Sequence, residues 1–355
     1  RDPCHVLLQR ETNMQTFNKL SLKAVLATAF TIASVNGAMA FTACQVTDVG
    51  GIDDGSFNET AWKGVEDAMS EYGIDGRYVE SQSGSDYEPN LNSMRDNNCD
   101  VIFAVGFLMG DATQAAAQAN PDQKYSILDF AYNPTLPNVV GQVYATNEGG
   151  FMAGYLAAGM SSTGIVGTFG GMNIPPVTAF MDGFAHGVAH YNAAKGANIQ
   201  VLGWNPDSKE GLFTGNFDSL DDGRAFAQNL YDEGADIVMP VAGPVGFGSS
   251  ALANELGPDA LKIIGVDADM TATDPERAHV YLTSVVKRMD NTVKAVIKQA
   301  MDGEFAGGIM LGNVANGGVA LAPYHSFDSA IPADLKAEVD AIRAGIIDGS
   351  VNVGG

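Results

Sequence analysis

The chain has 355 residues and carries 42 acidic against 19 basic side chains, a formal net charge of −23. A field of that sign repels nucleic acid and anionic lipid surfaces, so neither is an expected partner. The length is enough for two domains of ordinary size.

In chain order, the first pattern is an address. From Met14 the sequence reads MQTFNKLSLKAVLATAFTIASVNGAMAF, with Lys19 and Lys23 ahead of an apolar run from Ala24 to Val35 and the small-x-small pattern Ala38-Met39-Ala40. That is the layout of a cleaved secretory leader, and the run is shorter than the about 20 residues that span a bilayer. Residues 1–40 are therefore read as an upstream extension plus signal peptide, and no direct membrane insertion is expected. These residues hold four basic and two acidic side chains, which leaves residues 41–355 at a net charge of −25. Cys44 and Cys99 each open an apolar strand, CQVTDV and CDVIFAVGF. In an oxidising compartment they are disulfide candidates, side by side at a sheet edge, with two buried free thiols as the alternative.

Next comes CQVTDVGGIDDGSFNETAWKGVEDA, residues 44–68, a strand, two glycines and a helix in the order of a phosphate loop. Neither GxGxxG nor GxxxxGK[ST] is present, and Asp48, Asp53 and Asp54 occupy the loop. Like charges 4 Å apart repel by about 1 kcal/mol in water and about 4 at an effective dielectric of 20. Such a loop disfavours phosphate and suits a neutral, hydroxyl-rich ligand, because a carboxylate accepts hydrogen bonds from a diol. Ser56 and Glu59 match the capping box S-x-x-E, so a helix is expected to start at Phe57. Phe57 is either a core residue or a stacking wall, Asn58 offers a donor and an acceptor to a base edge, and Asp53 and Asp54 are either turn formers or ligand groups. Asp48 is the favoured ligand contact.

Strand-like runs follow at 101–106, 125–130, 139–145, 165–169, 199–203, 237–241, 263–266 and 280–286. They alternate with amphipathic stretches at 61–72, 151–160, 177–191, 222–233 and 289–301. This alternation predicts parallel sheets with helices on both faces, which bind ligands beyond the carboxyl ends of their strands. Six exits (TDVGG, VGFLMGD, LDFAYN, TFGGM, PVAGP and VDADM) are rich in Gly, Asp and Asn. They are too many for one small site on one sheet and predict two sheets facing across a cleft, with Gly149-Gly150 and Gly307-Gly308 as crossings.

The stretch VTDVGGIDDGSFNETAWKG resembles the start of the basic membrane protein family, substrate-binding proteins of ABC transporters that include purine nucleoside receptors. The likeness continues through VGFLMGD, ILDFAYNP, NVVGQVYATNEGGFMAGYLAAGM, FGGMNIPPVTAFMDGFAHGV, GNFDSLDDGRAFAQNLYDEGADIVMPVAGP, KIIGVDADM and LTSVVKRMDNTV. The resemblance implies an α/β type I periplasmic binding fold, two doubly wound parallel-sheet lobes joined by a three-stranded hinge. Residues 41–148 with a returning segment of about 284–308 would form one lobe, and 149–283 with about 309–355 the other. It further implies a periplasmic monomer that binds a small-molecule nucleoside and delivers it to an inner-membrane ABC permease and its ATPase. No cofactor, metal or catalytic residue is implied.

Residue by residue, the family pattern assigns Asp48, Phe57 and Asn58 to the ligand, with Asp129 near the base. Asp267 and Lys287 would hold ribose hydroxyls, or else form a salt bridge with no ligand role. Phe217 is the second stacking wall, with Phe180 as the rival, and Gly243 allows close backbone approach. AGPVGFG departs from the family's glycine-rich turn, and its Pro244 and Phe247 are expected to reshape the pocket. Two other readings remain. A calcium-dependent nucleoside hydrolase begins DTDPGxDD, but here Val46 replaces the first metal-binding aspartate and the spacing is shifted. A binding protein for a sugar-like signalling molecule would also use carboxylates and aromatics.

Overall fold

The computed structural model describes residues 40–354; the expected leader, apart from Ala40, lies outside them. The first stretch runs β1 (Thr42–Thr47), α1 (Phe57–Tyr72), β2 (Asp75–Val79), α2 (Tyr87–Asp96), β3 (Val101–Val105), α3 (Gly110–Ala119), β4 (Lys124–Leu128) and β5 (Val139–Tyr144). The second runs α4 (Thr146–Met160), β6 (Ile165–Gly170), α5 (Pro175–Lys195), β7 (Gln200–Leu202), a small hairpin of β8 (Trp204–Asn205) and β9 (Glu210–Gly211), and α6 (Leu220–Asp232). It continues with β10 (Ile237–Val241), α7 (Gly246–Leu256), β11 (Lys262–Asp267), α8 (Met270–Thr273) and β12 (Tyr281–Lys287). Then come α9 (Met289–Asp302), β13 (Gly308–Gly312), β14 (Val319–Leu321) and α10 (Ala333–Asp348).

The strands form two six-stranded sheets in the orders β13-β5-β4-β3-β1-β2 and β14-β12-β11-β10-β6-β7. Every pairing within them is parallel except that of β14 with β12. Each sheet is covered on both faces, which is why its strands read as continuous apolar runs. In β3, Val101, Phe103 and Val105 join the core under α1 and α9, whereas Ile102 and Ala104 join the core under α2 and α3. In β10, Ile237, Met239 and Val241 face one core of the second sheet and Val238 the other.

The chain passes between the sheets three times, after β5, β12 and β13. The returning segment lies later than the expected 284–308. Lys287 still pairs with Val319 in the second sheet, and Gly308–Gly312 pairs with Val140–Tyr144 in the first. Gly149-Gly150 is not a crossing. Both residues are inside α4, which starts at Thr146, and a Cβ on Gly150 would lie 2.4 Å from the Phe180 carbonyl oxygen. The missing side chain lets α4 and α5 pack closely and so sets the position of Phe180.

Cys44 and Cys99 form a disulfide with Cα atoms 5.9 Å apart. Both are buried, under α2. The bridge joins β1 to the entry of β3, neighbouring interior strands rather than the sheet edge expected for the pair.

Candidate functional site

Asp54 organises the start of α1. Its Oδ1 accepts from the N–H of Ser56 (2.9 Å) and Glu59 (3.0 Å), and its Oδ2 accepts from the N–H of Asn58 (2.8 Å). These are the unpaired donors of the first turn of α1. The expected capping box therefore gives way to an aspartate cap: the Ser56 side chain makes no capping bond and its Oγ lies 3.4 Å from Asp267 Oδ2. Glu59 still reaches back, accepting from the Gly55 N–H at 2.9 Å. Burial pushes the Asp54 carboxyl up to about 7 against the pull of those three N–H groups.

Asn58, 1% exposed, donates through Nδ2 to Asp48 Oδ1 (2.8 Å) and Asp54 Oδ2 (3.2 Å), while its Oδ1 has no partner. Asp48 Oδ1 also accepts from the Gly50 N–H at 3.1 Å. Burial raises the Asp48 carboxyl above its ordinary range; the Asn58 and Gly50 donors oppose that shift, and the charges of Asp129 and Asp267 add to it. A Cβ on Gly106 would lie 3.0 Å from Asp48 Oδ2, so glycine there keeps that oxygen's side open.

The centre of the site is Lys287, the last residue of β12 and 2% exposed. Its Nζ lies 2.6 Å from Asp129 Oδ2 and 3.4 Å from Asp267 Oδ1. Burial pulls the ammonium down, but the two carboxylates outweigh it and hold Lys287 above its ordinary value. The same Nζ lies 4.7, 5.5 and 5.6 Å from the ring centroids of Phe57, Tyr144 and Phe180, within cation–π range. The two aspartates occupy matching places: Asp129 follows β4 and Asp267 ends β11, the fourth strands of the shared topology. Both are left-handed, with φ of 64° and 68°. Strained backbone of this kind, which Asp tolerates better than most residues, concentrates at functional sites.

Apart from Gly55, Ser56, Glu59 and Tyr144, these groups line one interlobe cleft, whose space together with the open solvent at its mouth is about 610 Å³. Asp48, Phe57, Asn58, Asp129, Phe217, Gly243, Asp267 and Lys287 line it, as do both Phe180 and Pro244. Phe217 packs on Gly171, where a Cβ would lie 2.3 Å from its Cε1, and Gly243 meets its turn with φ +54°. Phe247 does not line the cleft, contrary to the expectation that it reshapes the pocket. Its helix directs the ring to Gly55 instead.

Sequence reasoning assigned no ligand role to Phe107, Leu108, Ile174, Pro176, Val177 and Val241, the apolar part of the lining. Phe107 and Leu108 sit inside the strand exit VGFLMGD, which was the available signal. Tyr144 at the end of β5 carried none. The hydrolase reading loses its ligands: Val46 is a fully buried core residue, Asp53 is exposed, and Asp54 has both oxygens on helix N–H groups.

Residues 41–347 match the family described as ABC transporter substrate-binding protein PnrA-like (Bmp). The chain is 32% identical over 327 residues to the ABC transporter nucleoside-binding protein BmpA of Lactococcus lactis, covering 88% of each chain. It is 32% identical over 306 residues to basic membrane protein A of Borreliella burgdorferi, covering 86% of this chain and 85% of that one. Among solved structures, an ABC transporter solute-binding protein of Aeropyrum pernix superposes with a TM-score of 0.79 at 27% identity, covering 88% of this chain and 92% of the other. Substrate-binding proteins of this kind work outside the cytoplasm, carry a small molecule to a membrane permease and are not enzymes. No helix among the described residues is long and apolar enough to cross a membrane. By the extent of these matches, the chain belongs to the PnrA-like family of ABC transporter substrate-binding proteins.

Proposed function

We propose that the ligand is a nucleoside with a purine base, held between the closing lobes in the periplasm and passed to an inner-membrane permease with its ATPase. The observation that carries this reading is the charge balance of the cleft. Four aspartates, Asp48, Asp54, Asp129 and Asp267, line the cleft with one cation among the described residues, Lys287, which pairs with Asp129 and Asp267. Asp54, Asp267 and Lys287 are buried, and Asp48 and Asp129 half-buried, against aromatic and aliphatic walls. An anion would meet more carboxylate than cation, whereas an uncharged ligand with hydroxyl and N–H donors suits the carboxylates of Asp48, Asp129 and Asp267. The oxygens of Asp54 are already taken by the first turn of α1. The similarity to the Lactococcus nucleoside-binding protein points the same way.

In this reading the base stacks between Phe57 of the first lobe and Phe217 of the second, and Phe180 walls the lysine. Asp48 and Asn58, whose Oδ1 is an unused buried acceptor, face the base edge, with Asp129 nearby. Asp267 and Lys287 hold the sugar hydroxyls. Because ligand contacts come from both lobes, binding favours the closed form.

Two measurements test this. Ligand released from the purified protein is expected to absorb near 260 nm (roughly, as purines do); a transparent sugar would refute the assignment. In calorimetry inosine is expected to bind at least about a hundred-fold more tightly than inosine monophosphate, from the repulsion of a few kcal/mol per close charge pair. Equal affinities would remove the electrostatic argument.

A further inference from the structure

Phe247 lies on the first turn of α7, half-buried and outside the cleft lining. Its ring crosses to the other lobe: a Cβ on Gly55 would lie 2.8 Å from Phe247 Cζ and 3.2 Å from Cε2. The ring therefore rests on bare backbone. Gly55 is doubly required, because its φ of +61° is also one that side chains disfavour.

Behind the ring stands an anchor. The Arg277 guanidinium is 6.0 Å from the Phe247 centroid, and Arg277 Nε donates to Asp274 Oδ2 at 2.8 Å. The same oxygen accepts from Ser250 Oγ (2.9 Å) and Tyr281 O–H (2.7 Å), and Asp274 is 5% exposed. The ring is thus held by a buried cluster of the second lobe and touches the loop that Asp54 ties to α1 of the first.

We propose that Phe247 is a positioning residue for ligand retention, a seat in the second lobe for the Gly55 loop that holds the first turn of α1, with Phe57 and Asn58, over the ligand. The contact exists only while the lobes meet, so its loss acts on escape rather than entry. This inference rests on the interlobe binding reading but not on which ligand is bound.

The test uses the full chain, with inosine as the probe, and compares wild type with Phe247→Ala and Phe247→Leu. Phe247→Ala is expected to raise the dissociation rate about ten-fold while the association rate stays within about two-fold, and Phe247→Leu to restore most of the difference. An unchanged dissociation rate, or a loss carried by association, overturns the proposal. If inosine does not bind wild type, the nucleoside assignment falls, and small-angle scattering of the ligand-free proteins decides this one. A larger radius of gyration in Phe247→Ala than in wild type supports it, and equal radii overturn it. Should Phe247→Ala not fold, Phe247→Leu and Arg277→Lys take its place in both measurements, with smaller changes expected in the same directions.

Discussion

The two lobes share one strand order and even one aspartate in one strained conformation, yet they bring different chemistry to the cleft. The first lobe supplies most of the polar groups, Asp48, Asp54, Asn58 and Asp129, beside the apolar Phe57, Phe107 and Leu108, with hydrogen bonds linking Asp48, Asn58 and Asp54. The second supplies a mostly apolar wall from Ile174, Val177, Phe180, Phe217, Val241 and Val266, plus Asp267 and Lys287, the single cation of the lining among the described residues. A repeated topology sets where strand exits lie, but each exit's residues decide whether that position recognises or merely excludes water. The lone cation stands at the seam, on the strand that leads out of the second lobe, and joins carboxylates of both.

Removing that cation is expected to have the largest effect. Lys287→Met leaves Asp129 and Asp267 buried without a counter-charge and is expected to cost about 3–5 kcal/mol of stability in chemical denaturation. Adding Asp129→Asn should recover part of the loss. Recovery by neither Asp129→Asn nor Asp267→Asn would mean that the seam is not held by charge.

The next effect is confined to one lobe. The Cys44–Cys99 bridge closes a loop of sequence separation 55, and Cys44→Ala with Cys99→Ala is expected to cost about 2–4 kcal/mol. Hydrogen exchange should rise in the first sheet and stay unchanged in the second. A uniform rise would show that the lobes unfold as one unit.

Smaller again, and directed at ligand rather than fold, is the pair Phe57→Ala and Phe217→Ala. Each is expected to weaken inosine binding by about ten- to a hundred-fold, which is about 1.4–2.8 kcal/mol, with little change in melting temperature. If only one does so, the base lies against a single lobe rather than between two.

The last effect is one of pH, read as a slope rather than as a loss at one condition. The folded pKa of Asp54, about 7, lies above its ordinary 3.8, so the native state holds a proton that the unfolded chain releases. Stability from this group is then greatest in acid and falls as pH rises between about 4 and 7, by at most about 1.4 kcal/mol per pH unit. The stability difference between wild type and Asp54→Asn should show that slope. Its absence would mean that the N–H groups of the cap outweigh burial.

Much of this molecule was legible in one dimension. Continuous apolar runs alternating with amphipathic stretches specify parallel strands covered on both faces, because only a strand buried on both sides is apolar at every position. Gly- and Asp-rich strand exits mark the ligand end, because side chains there need not fill a core. The short strand β2, with mostly exposed residues, carries no such run, the apolar runs of the edge strands β13 and β14 are only a few residues long, and the places of all three come from pairing with neighbours. The same limit applies within the site. Residue types alone pointed to carboxylates and rings, but three assignments depend on which atoms meet in space. Asp54 rather than Ser56 caps α1, Asp129 is the closest partner of Lys287, and Phe247 lies on Gly55 outside the cleft. Each turns on a distance of a few ångströms between groups far apart in the chain or on competing local geometries. Periodicity and composition carry no such information, and close packing of the two lobes supplies it.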